Sequence, residues 1–228
     1  MNIYCVFCTR SSEKITKTTQ KLLEFMAKCE IKTLVMAGAD SIFSAYEKAF
    51  NHVKPNNEDI FIFCHDDIEI REEPEIFKNK LKEALSGDKP GFVGPAGTTR
   101  LSENAVWWDH ELWKAGFHRG RVKHLDPQGR EYETYYGEPD SVVVLDGLFL
   151  AAKARTIREV GLEKPDYFEG AWDFYDIHYT TTAHQKGFTN KVILLNILHN
   201  SAGELAGRDS WHKNREAYIK NTNLPLKI

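Results

Sequence analysis

Residues 59–70 read D-I-F-I-F-C-H-D-D-I-E-I. Ile60, Phe61, Ile62, Phe63 and Cys64 form an unbroken apolar run, the pattern of a strand covered on both faces in a parallel sheet. His65, Asp66 and Asp67 follow at its carboxyl end, and open α/β sheets bind ligands at the carboxyl ends of strands. Two adjacent carboxylates there repel each other and lose solvation unless a positive charge joins them. A hard divalent cation, Mg²⁺ or Mn²⁺, suits carboxylate ligands and also bridges phosphate oxygens. A solvated acidic loop leading into the next helix is the alternative reading.

Moving toward the amino terminus, residues 2–8 and 31–37 read as two more buried strands. Ser12 is a candidate cap for a helix whose stripe is Ile15, Leu22, Leu23 and Met26. Gly38, Ala39 and Asp40 turn the chain, and Ser41 caps a helix carrying Ile42, Ala45, Tyr46, Ala49 and Phe50. Toward the carboxyl terminus, Pro74 suits the first turn of a third helix that stops near Gly87, and residues 91–94 make a short strand. This alternation predicts an α/β fold: an open, mostly parallel twisted sheet flanked by crossover helices.

The middle of the chain is different. Trp107, Trp108, Trp113, Phe117, Tyr132, Tyr135 and Tyr136 are mixed with histidines and arginines, broken by glycine and proline. This predicts loops and a smaller antiparallel element. Its aromatics suit either stacking on sugar rings or the core of a small sheet. Residues 141–151, S-V-V-V-L-D-G-L-F-L-A, read as a strand pair interrupted by Asp146 and Gly147. Helices are expected at 154–160 and 172–186, the latter ending at Gly187. A last strand at 191–198 leads into H-N-S-A-G, and a polar helix containing Trp211 starts near Ser210. The reading is one domain over 1–228, with a nucleotide-binding half (1–94) and an acceptor-binding half (95–228).

Composition narrows the function. The 228 residues are 42 % hydrophobic with a net charge of −3, so no general affinity for nucleic acid or anionic membrane is expected. The start, M-N-I-Y-C-V-F-C-T-R, lacks the basic and apolar regions of a secretory signal, and no run is apolar enough to span a bilayer. A cytoplasmic protein is the expectation, with peripheral membrane contact left open. Cys5 and Cys8 form a C-x-x-C inside an apparent strand, and Cys29 and Cys64 stand alone, which favours core packing over redox or zinc chemistry.

The order of these features resembles the GT-A fold glycosyltransferases, close to the family 2-like group, over roughly residues 1–215. H-D-D at 65–67 is similar to the family's D-x-D metal motif. W-D-F-Y-D-I-H-Y-T-T-T-A-H-Q-K-G-F at 172–188 is similar to E-D-x-D-L-x-x-R-x-x-x-x-G, with Asp176 eleven residues before Gly187. I-L-H-N-S-A-G at 197–203 is similar to a histidine-bearing segment after the last strand. Tyr175, His178 and Thr182 stand where the family usually has glutamate, a second acid and arginine, and Asp40 loosely matches a uracil-binding aspartate.

The resemblance implies a metal-dependent, inverting transfer of a sugar from a nucleotide diphosphate, a UDP-sugar first, to a glycan or other hydroxyl acceptor. It implies Mn²⁺ or Mg²⁺ on Asp67, with His65 and His199 as further ligands. Asp176 is the implied general base, with Asp173 as its alternative. Thr9, Arg10, Asp40, Asp66, Asp146 and Gly147 are the candidates for the nucleotide sugar, and Trp107, Trp108 and Trp113 for an open acceptor groove. Two other readings stand beside it: a binding domain without catalysis, and a sugar-phosphate nucleotidyltransferase. The C-T-R-S-S-E-K loop after the first strand lacks the glycines the latter class tends to carry.

Overall fold

The computed structural model describes residues 1–10, 15–126, 128–200 and 209–228. Its first half runs β1 (Ile3–Thr9), α1 (Lys17–Lys28), β2 (Lys32–Ala37), α2 (Ile42–Val53), β3 (Ile60–Cys64), β4 (Ile68–Ile70), α3 (Pro74–Ala84) and β5 (Pro90–Gly94). The middle contains β6 (Ala96–Thr98), β7 (Arg100–Leu101), α4 (His110–Lys114), β8 (His118–Leu125), β9 (Glu131–Gly137), β10 (Ser141–Val142) and β11 (Val144–Leu145). The rest is β12 (Phe149–Lys153), α5 (Ala154–Val160), α6 (Tyr175–Gln185), β13 (Thr189–Val192), β14 (Ile197–His199), α7 (Asp209–Asn221) and β15 (Leu226–Lys227).

The main sheet has the order β10-β13-β5-β12-β3-β1-β2. β1 lies parallel between β2 and β3, and β13 is parallel to β5. β12 enters antiparallel between β3 and β5, so the sheet is mostly but not wholly parallel. Every residue of β3 and β5 is buried, which is what their unbroken apolar runs require. Asn190 locks the far side. Its amide donates to the carbonyls of Val143 and Thr180, at 3.1 and 2.7 Å, and its Oδ1 accepts from the Phe92 amide at 2.9 Å.

A second, mainly antiparallel sheet, β11-β6-β8-β14-β4 with β9 on β8, is the small element expected from the aromatic middle. The pairing of β14 with β4 sets His199 opposite Ile68, beside Asp67.

The local signals hold where the chain is strongly patterned. Ser41 caps α2 and Pro74 opens α3 as expected. Three details differ. The cap of α1 is Thr16, whose hydroxyl accepts from the Thr19 amide at 3.0 Å; Ser12 lies outside the described residues, and Ile15 is exposed ahead of the helix. The helix expected from 172 starts at Tyr175, because Phe174 takes a left-handed φ of 68°. Its ring packs against Phe168, Trp211 and Tyr218, which offsets a backbone cost of about 1–2 kcal/mol. The strand expected over 191–198 divides into β13 and β14, which belong to different sheets. Among the described residues, no helix is long and apolar enough to cross a membrane.

Candidate active site

β1, β2 and β3 run parallel, so Thr9, Arg10, Asp40 and the His65–Asp67 segment reach one edge of the sheet. Thr9 is buried and its carbonyl accepts from the Gly38 amide at 2.9 Å; Arg10 and Asp40 are exposed. His199 comes to the same edge from β14, held by the Asn200 amide donating to the Asp67 carbonyl at 2.8 Å. His65, Asp67 and His199 each present a ligand atom, and these three atoms lie within 4.8 Å of one another. Nδ1 of His65 is 3.8 Å from Oδ1 of Asp67, and Nε2 of His199 is 3.3 Å from the same oxygen. Asp66 is not a member of this cluster; its carbonyl accepts from the Thr19 hydroxyl at 3.0 Å.

The electrostatics of the cluster are mutual. Burial works against the charge on Asp67, but His199 and then His65 outweigh it and hold the carboxyl below its usual range. Burial likewise opposes the charge on His199, and Asp67 outweighs it and raises that imidazole. His65 is lowered by burial and by the neighbouring His199. Yet Oδ1 of Asp67 and Nε2 of His199 are both buried without an aligned hydrogen-bond partner. Orphaned buried atoms of this kind are uncommon and costly. Two imidazole nitrogens and a carboxylate oxygen converging on one point fit a divalent metal ion, and the donor set suits Mn²⁺ better than Mg²⁺.

Behind the cluster lies the turn between β11 and β12. Oδ1 of Asp146 accepts from the Leu148 amide at 3.0 Å. Oδ2 of Asp176 accepts from the Gly147 amide at 3.1 Å, tying the start of α6 to this turn. The Tyr175 hydroxyl lies 2.9 Å from the Gly147 carbonyl and 3.0 Å from Nε2 of His65. A Cβ at position 147 would stand 2.4 Å from that hydroxyl, so space, not φ, demands glycine. Burial, with Asp176 and Asp146 nearby, raises the phenol well above its usual value.

Asp176 departs from the sequence expectation. A first-turn aspartate should be held ionised by the helix dipole. Instead burial, and then the negative charge of Asp146, push it up to about 7, against the pull of backbone amides. Asp173 is not a member of the cluster. It is buried, and its Oδ2 accepts from the Ser210 hydroxyl at 2.6 Å, which fastens α7.

The tryptophans divide. Trp107 is only 3 % exposed and packs edge-on against Trp108, His118 and Tyr136, so the small sheet's core takes it away from the expected open groove. Trp108 and Trp113 are 38 % and 42 % exposed. The cysteines are free thiols, as core packing predicts, with Cys5, Cys29 and Cys64 buried. Burial pushes the half-buried Cys8 thiol up to about 12, which leaves no thiolate for chemistry.

Sequence reasoning missed two neighbours of the cluster. His124 on β8 lies in register with His199, their rings 5.9 Å apart, and no local pattern marks it. Tyr175 had a signal, as the tyrosine standing at a position of expected glutamate.

An edge of parallel strands, closed by a small antiparallel sheet and carrying a candidate metal cluster, is the architecture of a GT-A-type α/β transferase fold. Residues 4–221 match the Glycosyltransferase like family, and the chain belongs to it. The streptomycin biosynthesis protein StrF of Streptomyces griseus is 28 % identical over 138 residues, covering 59 % of this chain and 45 % of that protein. The chain therefore spans under half the length of this curated relative. Among solved structures, GalNAc-T7 with UDP, GalNAc and Mn²⁺ aligns with a TM-score of 0.54 at 11 % identity, over 92 % of this chain and 44 % of that one. A197 from STIV aligns with a TM-score of 0.50 at 12 % identity, over 88 % and 86 %. At these identities the likeness is one of fold.

Proposed function

We propose that this protein transfers a sugar from a nucleoside diphosphate donor to a hydroxyl acceptor such as a glycan, with a divalent cation held by His65, Asp67 and His199. The observation that carries this reading is the convergence of three ligand atoms, two of them buried and orphaned, at the ligand-binding edge of a glycosyltransferase-family fold. Mn²⁺ is favoured over Mg²⁺ by the imidazoles, and UDP is favoured as the nucleotide by the complex seen in GalNAc-T7. When bound, the cation neutralises the charge that builds on the leaving diphosphate.

The chain's own groups do the rest. Thr9, Arg10 and Asp40 border the nucleotide at the ends of β1 and β2. Asp66, Asp146 and Gly147 border the donor sugar. Asp176, raised to about 7, is part ionised near neutral pH and suited to take the proton of the attacking hydroxyl. Direct attack assisted by one base inverts the anomeric centre. Trp108 and Trp113 offer exposed indole faces for acceptor sugar rings.

The test is calorimetry of UDP with Mn²⁺ and with EDTA, paired with an assay for metal-dependent hydrolysis or transfer of UDP-sugars. Tight binding only with metal, plus turnover, is the expected result. Equal affinity in both conditions overturns the metal assignment, and metal-dependent binding without turnover of any donor leaves a binding domain instead of an enzyme.

A further inference from the structure

We propose that Tyr175 is a positioning residue for His65: its hydroxyl oxygen accepts a hydrogen bond from the Nε2–H of the imidazole and so leaves the Nδ1 lone pair turned toward Asp67 and His199. This rests on the metal-site reading above and names a part of the site that the family pattern, with glutamate at this position, does not supply.

The argument is one of counting donors. A tyrosine hydroxyl has one proton to donate and, with an ordinary pKa near 10, keeps it at neutral pH. Its two neighbours are the Gly147 carbonyl at 2.9 Å and Nε2 of His65 at 3.0 Å. A carbonyl oxygen only accepts, so the phenol proton points to Gly147. The phenol oxygen must then accept from His65, and Nε2 carries the hydrogen. A neutral imidazole has one donor and one acceptor nitrogen, so Nδ1 is left as the lone pair. That nitrogen is the one 3.8 Å from Oδ1 of Asp67, on the cluster side of the ring.

The tyrosine is well placed to impose this. It is 5 % exposed, and Phe43, Tyr46 and Tyr179 pack around its ring at 5.9–6.4 Å. A hydroxyl held by that packing fixes both the tautomer and the rotation of the imidazole. Outer partners of this kind typically carry about 10–100-fold in metal affinity. Gly147 takes part by omission, since a Cβ there would occupy the hydroxyl's place.

The experiment uses the full chain without nucleotide. Two-bond ¹⁵N–¹H spectra of labelled histidine report the tautomer of His65 in the metal-free wild type, and calorimetry reports Mn²⁺ affinity of wild type and Tyr175→Phe. Expected are a proton on Nε2 of His65 and an affinity about 10–100-fold weaker in the variant. A proton on Nδ1 in the wild type, or wild-type Mn²⁺ affinity in folded Tyr175→Phe, overturns the proposal. Should the variant fail to fold, the wild-type spectrum decides alone. Absence of Mn²⁺ binding to the wild type would overturn the metal centre, while the tautomer still decides the role of Tyr175.

Discussion

Nε2 of His199 and Oδ1 of Asp67 face each other across 3.3 Å, both sealed from solvent and neither aligned for a hydrogen bond. Without a cation the pair is held by charge: Asp67 raises the imidazole of His199 above its ordinary value. A group raised in the fold contributes stability below its unfolded pKa, about 6.5, and loses it as pH climbs through the folded value. Metal binding needs the same imidazole neutral. The metal-free protein should therefore lose stability, and Mn²⁺ affinity should rise, over one pH window beginning near 6.5. Thermal melts in EDTA and Mn²⁺ titrations from pH 5.5 to 8.5 measure the two trends. An affinity flat across that range would exclude His199 as a ligand.

Asp67→Ala should abolish tight Mn²⁺ binding and the metal dependence of UDP binding while the fold persists. Asp67 sits in the short segment between β3 and β4, outside the apolar core. Circular dichroism with calorimetry checks both parts, and metal-dependent UDP binding in the variant would refute the ligand role.

Asp176→Asn removes the basic lone pair but keeps an acceptor for the Gly147 amide. Turnover should fall by about 10²–10⁴-fold with little change in donor affinity. In the wild type, kcat should rise with pH through about 7, where the carboxyl ionises. The same residue makes a stability prediction of opposite sign. Its raised pKa means the ionised form is disfavoured in the fold, so the penalty grows as pH rises from about 3.9 toward 7. Asp176→Asn should thus be more thermostable than wild type at pH 8 and near parity at pH 4. Asp173→Asn, whose carboxylate faces Ser210, should keep turnover. The reverse pattern would move the base to Asp173.

Asn190→Leu strands the Phe92 amide in the core and removes the side-chain donor to the carbonyls of Val143 and Thr180. A buried orphan costs about 1–3 kcal/mol, so the variant should unfold at clearly lower denaturant with an unchanged m-value. Wild-type stability would contradict the role of this side chain as the clip between β5, the β10–β11 junction and α6.

Trp108→Ala and Trp113→Ala should each raise acceptor KM by up to about tenfold, the loss of one aromatic stacking contact of about 0.5–1.5 kcal/mol, and leave donor binding unchanged. Trp107→Ala should act on the melting temperature instead, because that indole is core. Unchanged acceptor KM in both exposed-site variants would end the platform reading.

Much of the fold was legible along the chain. The runs at 3–9, 32–37 and 60–64 and the helices capped by Ser41 and opened by Pro74 are set by periodicity, capping chemistry and proline geometry, which act between near neighbours. For the same reason His65, Asp66, Asp67, Asp146 and Gly147 could be placed at strand ends from sequence. What local pattern could not supply was partnership. Nothing in residues 149–153 announces that this strand inserts antiparallel between β3 and β5. Nothing at 191–199 announces a strand divided between two sheets, yet that division carries His199 to Ile68 and so to Asp67. The burial of Trp107 and the raised pKa of Asp176 likewise arise from groups distant in sequence, Tyr136 and His118 in one case, and burial followed by the charge of Asp146 in the other. Dihedral preference and side-chain period are properties of a segment, and the sequence determined them by itself. Register, desolvation and charge coupling are properties of pairs brought together by the closed fold, and only the tertiary structure decided them.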